Sequence, residues 1–254
     1  MKLPVAIILA GGMGTRLRKA IHNRPKVLAS VCGKPFLDYV LTNLARQGVQ
    51  KVILSVGYLA EQVIEYAGDG SSWGLMVEYC REESPLGTAG ALRLASRALD
   101  QPFLAMNGDT LYLVDLRRMT EEHQKLRGLG TIALLHRPDG QVRGCVRVSE
   151  DGFIRQFHEK PLENAPALVN GGIYLLEPQA LADVQEGLPA SLEKEVFPAL
   201  AARGQLAGMV QEAYFVDIGV PESLRSFEED VLHNRLTFSL VEKGMPADPG
   251  RREP

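Results

Sequence analysis

The sequence predicts an α/β fold with a mainly parallel, helix-flanked sheet and a smaller, more antiparallel subregion after it. Strands and helices alternate from Val5 to Met106, the pattern of βαβ units whose crossovers cover a parallel sheet. After about Thr131 the strands shorten, and "RPDG" and "EDG" supply turns between them, as in antiparallel connections. The 254 residues, 45% hydrophobic and 23% charged, suffice for a sizeable core, and no linker, repeat or low-complexity tract divides them.

Val5 to Leu9 is a β-rich apolar run suited to a strand buried on both faces, and glycines end it. From Pro35 to Gln47, Phe36, Leu37, Val40, Leu41 and Leu44 follow helical spacing, with Gly48 as terminator. "KVILSVG" restores strand character. A helix near Ala60 to Ala67, a strand at Met76 to Cys80, a helix at Ala89 to Ala98 and a strand at Phe103 to Met106 complete the first half. "TIALLH", "CVRV", "IRQFHE" and "GGIYLL" are the later strands; helices are expected around Ala180 and from Leu192 to Ala202. Strands near Leu206 and Phe215 and a helix from about Glu222 follow. One domain is expected over residues 1–236, with a frayed, Pro-rich, charged tail over 237–254.

A net charge of −3 gives no bulk attraction for nucleic acid or an anionic membrane, so phosphate binding has to be local. Cys32, Cys80 and Cys145 are odd in number and widely spaced, which fits neither a disulfide framework nor a CxxC metal site. A cytoplasmic location follows as the simpler expectation. No apolar run approaches the ~20 residues that span a bilayer. Lys2 and the apolar run Leu3 to Ala10 imitate a secretion signal, but the run is short, no good A-x-A site follows, and five basic residues lie between Arg16 and Lys26.

Three motifs carry chemistry. In "AGGMGTRL" the glycines follow a strand, so backbone amides can approach an anion without Cβ interference; a plain turn is the alternative. Walker A is absent, and the dinucleotide pattern stops at Gly12 and Gly14, with Leu17 in place of its third glycine. Arg16 and Lys26 offer the planar and the compact way of holding phosphate oxygens. In "FLAMNGDTL", Asp109 follows a strand end and a glycine, where an α/β sheet presents its ligand, although an Asx-turn explains it equally. In "FVDIGVPE", Asp217 repeats the arrangement, and the two carboxylates could share Mg²⁺, which prefers oxygen ligands and bridges phosphates.

The ordered set "LAGGMGTRL", "RPKVL", "PLGTAGAL", "NGDT", "EKP", "NGGIYLL" and "DIGVPE", from about Val5 to Asp230, resembles the sugar-1-phosphate nucleotidyltransferases. The resemblance implies a Rossmann-like nucleotide-binding sheet with an antiparallel sugar-binding subregion. It implies that Ala10, Gly11, Gly12, Gly14, Thr15, Arg16, Lys26, Gly87, Thr88 and Asn107 bind the nucleotide. Asp109 and Asp217 would ligate Mg²⁺; with Arg16 and Lys26 they would be catalytic. Gly144, Glu159, Lys160, Asn170 and Gly171 would bind the sugar. Two departures stand out: Val27 replaces the second proline of the family's P-K-P, and Arg143 stands where many relatives have a tyrosine before the glycine.

The implied reaction is attack by a sugar 1-phosphate oxygen on the α-phosphorus of a nucleoside triphosphate, which needs no enzyme nucleophile. Within the family the segments resemble most those enzymes that use GTP and D-glycero-α-D-manno-heptose 1-phosphate; mannose 1-phosphate or another hexose or N-acetylhexosamine 1-phosphate is the alternative. Guanine offers N1–H and amine donors, for which Glu82 or Glu83 could be an acceptor, although surface carboxylates are the simpler reading. A catalytically silent nucleotide-sugar sensor and an NAD-dependent oxidoreductase are the competing classes. The sensor would lack one of Arg16, Lys26, Asp109 and Asp217; the oxidoreductase needs an acidic residue at Ser55 or Val56. Amphipathic helices leave homo-oligomerisation open.

Overall fold

A computed structural model describes residues 2–12, 23–137, 144–158 and 167–236. In chain order the elements are β1 (Ala6–Leu9), a hairpin of β2 (Ser30–Val31) and β3 (Lys34–Pro35), α1 (Phe36–Gln47), β4 (Lys51–Val56), α2 (Ala60–Ala67), β5 (Met76–Arg81), α3 (Gly87–Ala95), β6 (Phe103–Asn107), β7 (Thr110–Tyr112) and α4 (Leu116–Leu126). They continue with β8 (Gly130–Arg137), β9 (Cys145–Val148), β10 (Ile154–His158), β11 (Ala167–Leu176), α5 (Phe197–Ala202), β12 (Leu206–Val210), β13 (Phe215–Asp217) and α6 (Pro221–Leu232).

The main sheet runs β10-β9-β11-β6-β1-β4-β5, with β8 on β11 and β12 on β8. From β6 through β1 and β4 to β5 the pairing is parallel; from β11 outward to β8, β9 and β10 it is antiparallel. Ile8 pairs with Leu54 on one side and Met106 on the other, all fully or nearly fully buried. Both faces of β1 are therefore covered, which accounts for its unbroken apolar run. One face packs on α1, α2 and Phe227 of α6; the other packs Ile7, Ile53 and Phe103 on α3 and α5. The expected parallel sheet with an antiparallel region is thus found, and the change falls between β6 and β11.

Beyond that change the strands curl back. Phe153 bridges Ala207 and the Gly208 amide donates to the Gly152 carbonyl at 2.9 Å, so β10 returns towards β12. The short β7–β13 ribbon pairs Asp217 with Thr110, which brings the end of β13 beside the start of β7, next to Asp109.

Helix α1 ends at Gly48 in the left-handed conformation, as its sequence predicts. Two expectations are corrected and one helix is added. The segment around Ala180 is one 3₁₀ turn, Pro178–Leu181, begun by a proline and too short for an amphipathic helix. The Leu192–Ala202 helix starts as a π-helical turn, Leu192–Val196, before α5; Ser191 caps it by accepting from the Lys194 amide at 3.2 Å. Helix α4, not anticipated from the sequence, begins at Asp115, whose carboxylate accepts from the Arg118 amide. The 237–254 tail lies outside the described residues.

Candidate active site

From β1 the chain adds β4 and β5 on one side and then returns to add β6 on the other, so the carboxyl end of β1 is a topological switch point, where open α/β sheets bind ligands. A cavity of about 450 Å³ opens there, lined among others by Ala10, Gly11, Gly12, Lys26, Glu82, Thr88, Asn107, Asp109 and Glu193. The Ala10 amide donates to Ser55 O at 2.8 Å, and the Gly11 carbonyl accepts from Tyr58 N at 3.3 Å, so the turn is tied to the end of β4. A Cβ on Gly11 would lie 2.6 Å from Glu82 Oε1 and 3.2 Å from Gly57 N, whereas one on Gly12 would meet nothing within 4 Å among the described residues. Packing thus requires the first glycine, and the second lines the cavity. Gly14, Thr15 and Arg16 lie outside the described residues.

Opposite this turn, Lys26 forms an ion pair with Asp109 Oδ2, and its ammonium is 3.9 Å from Asp217 Oδ1. The lysine side chain is only 10% exposed. Pro25 precedes it in extended geometry, at the start of the turn Lys26–Leu28. Gly108 lets the β6 turn sit on β1: a Cβ there would lie 2.5 Å from Leu9 O and 2.8 Å from Val27 Cγ1. The β7–β13 pairing and the Ile218 amide, 3.0 Å from Asp109 O, hold the second carboxylate alongside. Asp217 Oδ1 accepts from Gly219 N at 2.6 Å, so for Asp217 the Asx-turn reading is also realised. Two carboxylates converging on one cation are an all-oxygen donor set, open on the cavity side, that suits a hard divalent ion with phosphate and water completing its shell.

Gly87 and Thr88 open α3 on the cavity wall, and both also do structural work. Gly87 has φ +68°, and a Cβ would lie 2.5 Å from Ala190 O. The Thr88 hydroxyl accepts from Leu192 N at 2.8 Å and donates to Glu193 Oε2 at 3.0 Å. Ser191 Oγ donates to the same carboxylate oxygen at 2.9 Å. Glu193, which sequence reasoning missed, therefore presents an oriented carboxylate to the cavity; "SLEKEVF" has no motif spacing to signal it. Glu82 departs from the surface reading. It is half-buried and lines the cavity, accepting from Ser55 Oγ and Leu86 N, both at 3.1 Å. Glu83 is exposed and lines a different cavity.

The residues expected near a sugar meet around β11. Asn170 Oδ1 accepts from Gly172 N at 2.8 Å, and its Nδ2 donates to Tyr174 Oη at 3.0 Å. Gly144, with φ +78°, faces Asn170, whose amide donates to the Gly144 carbonyl at 2.9 Å. Gly171 lies on the Tyr112 ring: a Cβ would come within 2.5 Å of two ring carbons. Burial pushes the Tyr174 phenol well above its usual range, so Tyr174 stays protonated. Glu159 and Lys160 lie outside the described residues.

A glycine turn facing a lysine between two carboxylates, at a sheet switch point, marks an α/β enzyme that handles phosphates. Residues 5–234 match the nucleotidyl transferase family model, and the chain belongs to that family. It is 34% identical to the D-glycero-α-D-manno-heptose 1-phosphate guanylyltransferase of Aneurinibacillus thermoaerophilus, over 90% of this chain and 98% of that one. It is 36% identical to the mannose-1-phosphate guanylyltransferase of Mycobacterium tuberculosis, over 96% of this chain and 72% of that one. Among solved structures, HddC from Yersinia pseudotuberculosis superposes with a TM-score of 0.80 at 30% identity, covering 90% of this chain and all of that one. Its complex with GMP-PN gives a TM-score of 0.78. Among the described residues no helix is long and apolar enough to cross a membrane.

Proposed function

We propose that the protein transfers a guanylyl group from GTP to D-glycero-α-D-manno-heptose 1-phosphate, giving a GDP-sugar and pyrophosphate. The observation that carries this is the convergence of Lys26, Asp109 and Asp217 opposite the Gly11–Gly12 turn. The sugar phosphate oxygen attacks the α-phosphorus, and the bond to the oxygen bridging the α- and β-phosphorus breaks. The attacking oxygen is already anionic, so no general base is needed; bringing two polyanions into line is the obstacle.

Each part of the site has a share in overcoming it. The amides of Gly11 and Gly12, with those of Gly14 and Thr15, cradle the triphosphate, and Arg16 and Lys26 supply positive charge to neutralise it. Asp109 and Asp217 would hold Mg²⁺, which supplies Lewis-acid charge stabilisation to the phosphates. In the free enzyme the Lys26 ammonium partly neutralises both carboxylates, and it is then positioned to donate to a phosphate oxygen. Gly87 and Thr88 line the nucleoside side with Glu82, whose oxygens keep lone pairs for the N1–H and amine of guanine. Gly144, Asn170 and Gly171, with Glu159 and Lys160, bind the sugar, and Asn107 and Tyr174 brace that wall. The two guanylyltransferase relatives and the GMP-PN complex support the choice of guanine, and the near-full-length match to the heptose enzyme supports the sugar.

A pyrophosphate-release assay crossing GTP, ATP, CTP, UTP and dTTP with heptose, mannose, glucose and N-acetylglucosamine 1-phosphates tests the proposal. The best rate is expected for GTP with the heptose. A preference for mannose 1-phosphate would move the sugar assignment and leave the chemistry intact; no turnover with any pair would favour a silent sensor.

A further inference from the structure

The proposed reaction leaves Glu193 unused, although it lines the same cavity as Lys26, Asn107 and Asp109. The chain docks on α3 just before this residue: the Ala190 carbonyl accepts from Ala89 N, and its amide donates to Leu86 O, both at 2.9 Å. The Ser191 carbonyl then accepts from Glu195 N at 3.1 Å and from Val196 N at 3.3 Å. The second of these bonds makes the π-helical turn, a local widening that recurs at functional sites. Glu195 Oε1 accepts from Ser191 N at 2.8 Å, which steadies the Ser191 hydroxyl as it donates to Glu193 Oε2. The Thr88 hydroxyl donates to the same oxygen while accepting from Leu192 N, so it has no proton left for a ligand. Both donors thus fall on Oε2, and Glu193 Oε1 has no hydrogen-bond partner among the described residues.

A carboxylate only accepts and repels phosphate, so the group it takes from a substrate is an uncharged donor such as a hydroxyl. Strand order separates the two half-buried carboxylates of the cavity, because β4 and β5 lie on one side of β1 and β6 and β11 on the other. Glu82 is bonded to Ser55 of β4. Glu193 stands near Tyr174 of β11: burial first, and then the charge of Glu193, push that phenol upward. The Tyr174 hydroxyl accepts from Asn170 Nδ2 at 3.0 Å, and its ring packs on Phe197, the residue after the π-helical turn, with centroids 4.9 Å apart. Glu193 therefore stands where the wall at Thr88 meets the wall at Tyr174 and Asn170. We propose that Glu193 is a specificity residue for the glycosyl 1-phosphate, its Oε1 accepting a hydrogen bond from a ring hydroxyl of the sugar. This rests on the nucleotidyltransfer proposal, which puts the phosphates at Lys26 and Asp109, the base at Glu82 and the sugar at Asn170.

Glu193→Gln tests this, because its amide oxygen can still accept from Thr88 and Ser191 while a donor replaces Oε1. In steady-state assays with GTP and heptose 1-phosphate, the KM for the sugar 1-phosphate should rise about ten- to hundred-fold, the range for a hydrogen bond to a charged group. The KM for GTP and the Tm should stay close to those of the wild type. Glu193→Asp withdraws the carboxylate by one methylene and reads the same KM split if the glutamine variant does not fold. Unchanged sugar KM, or equal rises in both KM values, would overturn the assignment and leave Glu193 as a brace for Thr88 and Ser191. The rival donor is a ribose hydroxyl, so the comparison is repeated with the two GTP analogues that each lack one ribose hydroxyl. The loss should persist with both; a loss that vanishes with either would place the ribose at Glu193 and overturn the sugar assignment. Wild-type turnover separates the two claims: a wild type that works beside a variant that matches it removes only Glu193, whereas a wild type inactive with every sugar 1-phosphate removes the underlying proposal as well.

Discussion

Lys26 and Asp109 form an ion pair across the mouth of the cavity, and the same ammonium stands 3.9 Å from Asp217. One cation thus sits between two carboxylates from strand ends far apart in sequence. Replacing it by an uncharged side chain of similar length removes the charge proposed to face the phosphates and leaves two acids side by side. Lys26→Met should therefore lower kcat by about a hundred-fold or more, the usual loss for one preorganised donor, in initial-rate assays at saturating GTP and Mg²⁺.

Asp109→Asn and Asp217→Asn keep the shape of the site and remove one anionic oxygen donor each. Either should cost on the order of several kcal/mol of transition-state stabilisation, as expected for losing Lewis-acid assistance. Near-normal kcat/KM of either variant in Mg²⁺ would remove that residue from the proposed metal site.

Glu82 is braced by Ser55 and Leu86, so its carboxylate is oriented before any nucleotide arrives. Glu82→Gln replaces one acceptor oxygen by a donor that opposes guanine. The kcat/KM for GTP should fall about ten- to hundred-fold, the range for a hydrogen bond to a charged group, with a much smaller change for ATP. Equal losses for both nucleotides would mean that Glu82 holds the loop and not the base.

Gly171 and Gly12 make opposite predictions for the same substitution. An alanine Cβ at Gly171 would press on the Tyr112 ring and lie 2.9 Å from Ala133 O, whereas one at Gly12 would meet nothing within 4 Å among the described residues. Gly171→Ala should destabilise the fold by about 1–3 kcal/mol and lower the Tm by several degrees. Gly12→Ala should leave the Tm nearly unchanged, and a calorimetric scan of the two compares them directly.

His123 is buried, with Nδ1 2.8 Å from Thr131 Oγ1 and Nε2 3.4 Å from Glu177 Oε1. Desolvation lowers its pKa despite the opposing pull of Glu177. The native state therefore resists protonation while the unfolded chain takes up a proton near pH 6.5. His123 contributes stability above that pH and loses it progressively as the pH falls below it. Urea midpoints measured from pH 7.5 to 5.5 should drop more for the wild type than for His123→Gln; parallel curves would show that Glu177 compensates the burial.

The sequence made the first half of the fold legible because its signals are local. The apolar run of β1, the helical spacing in α1 and the terminator Gly48 each depend on neighbours within a turn or two, and each matches the structure. The turn at Pro178–Leu181 and the π-helical start before α5 were not legible, because tertiary packing and the Ser191 cap decide them. Lys26, Asp109 and Asp217 could be singled out as strand-end and phosphate-type residues, but their meeting depends on the β7–β13 ribbon, which only the folded chain displays. Glu193 and the burial of Glu82 were hidden for the same reason: their partners Thr88, Ser191 and Ser55 are brought to them by the fold.

The most direct measurement is pyrophosphate release by the full chain with GTP and D-glycero-α-D-manno-heptose 1-phosphate in Mg²⁺, followed with and without the sugar phosphate. Release should require the sugar phosphate, match GDP-heptose formed one for one, and be at least ten-fold faster with GTP than with any other triphosphate. No release with any nucleotide and sugar 1-phosphate, or release that ignores the sugar phosphate, would contradict nucleotidyl transfer at this site.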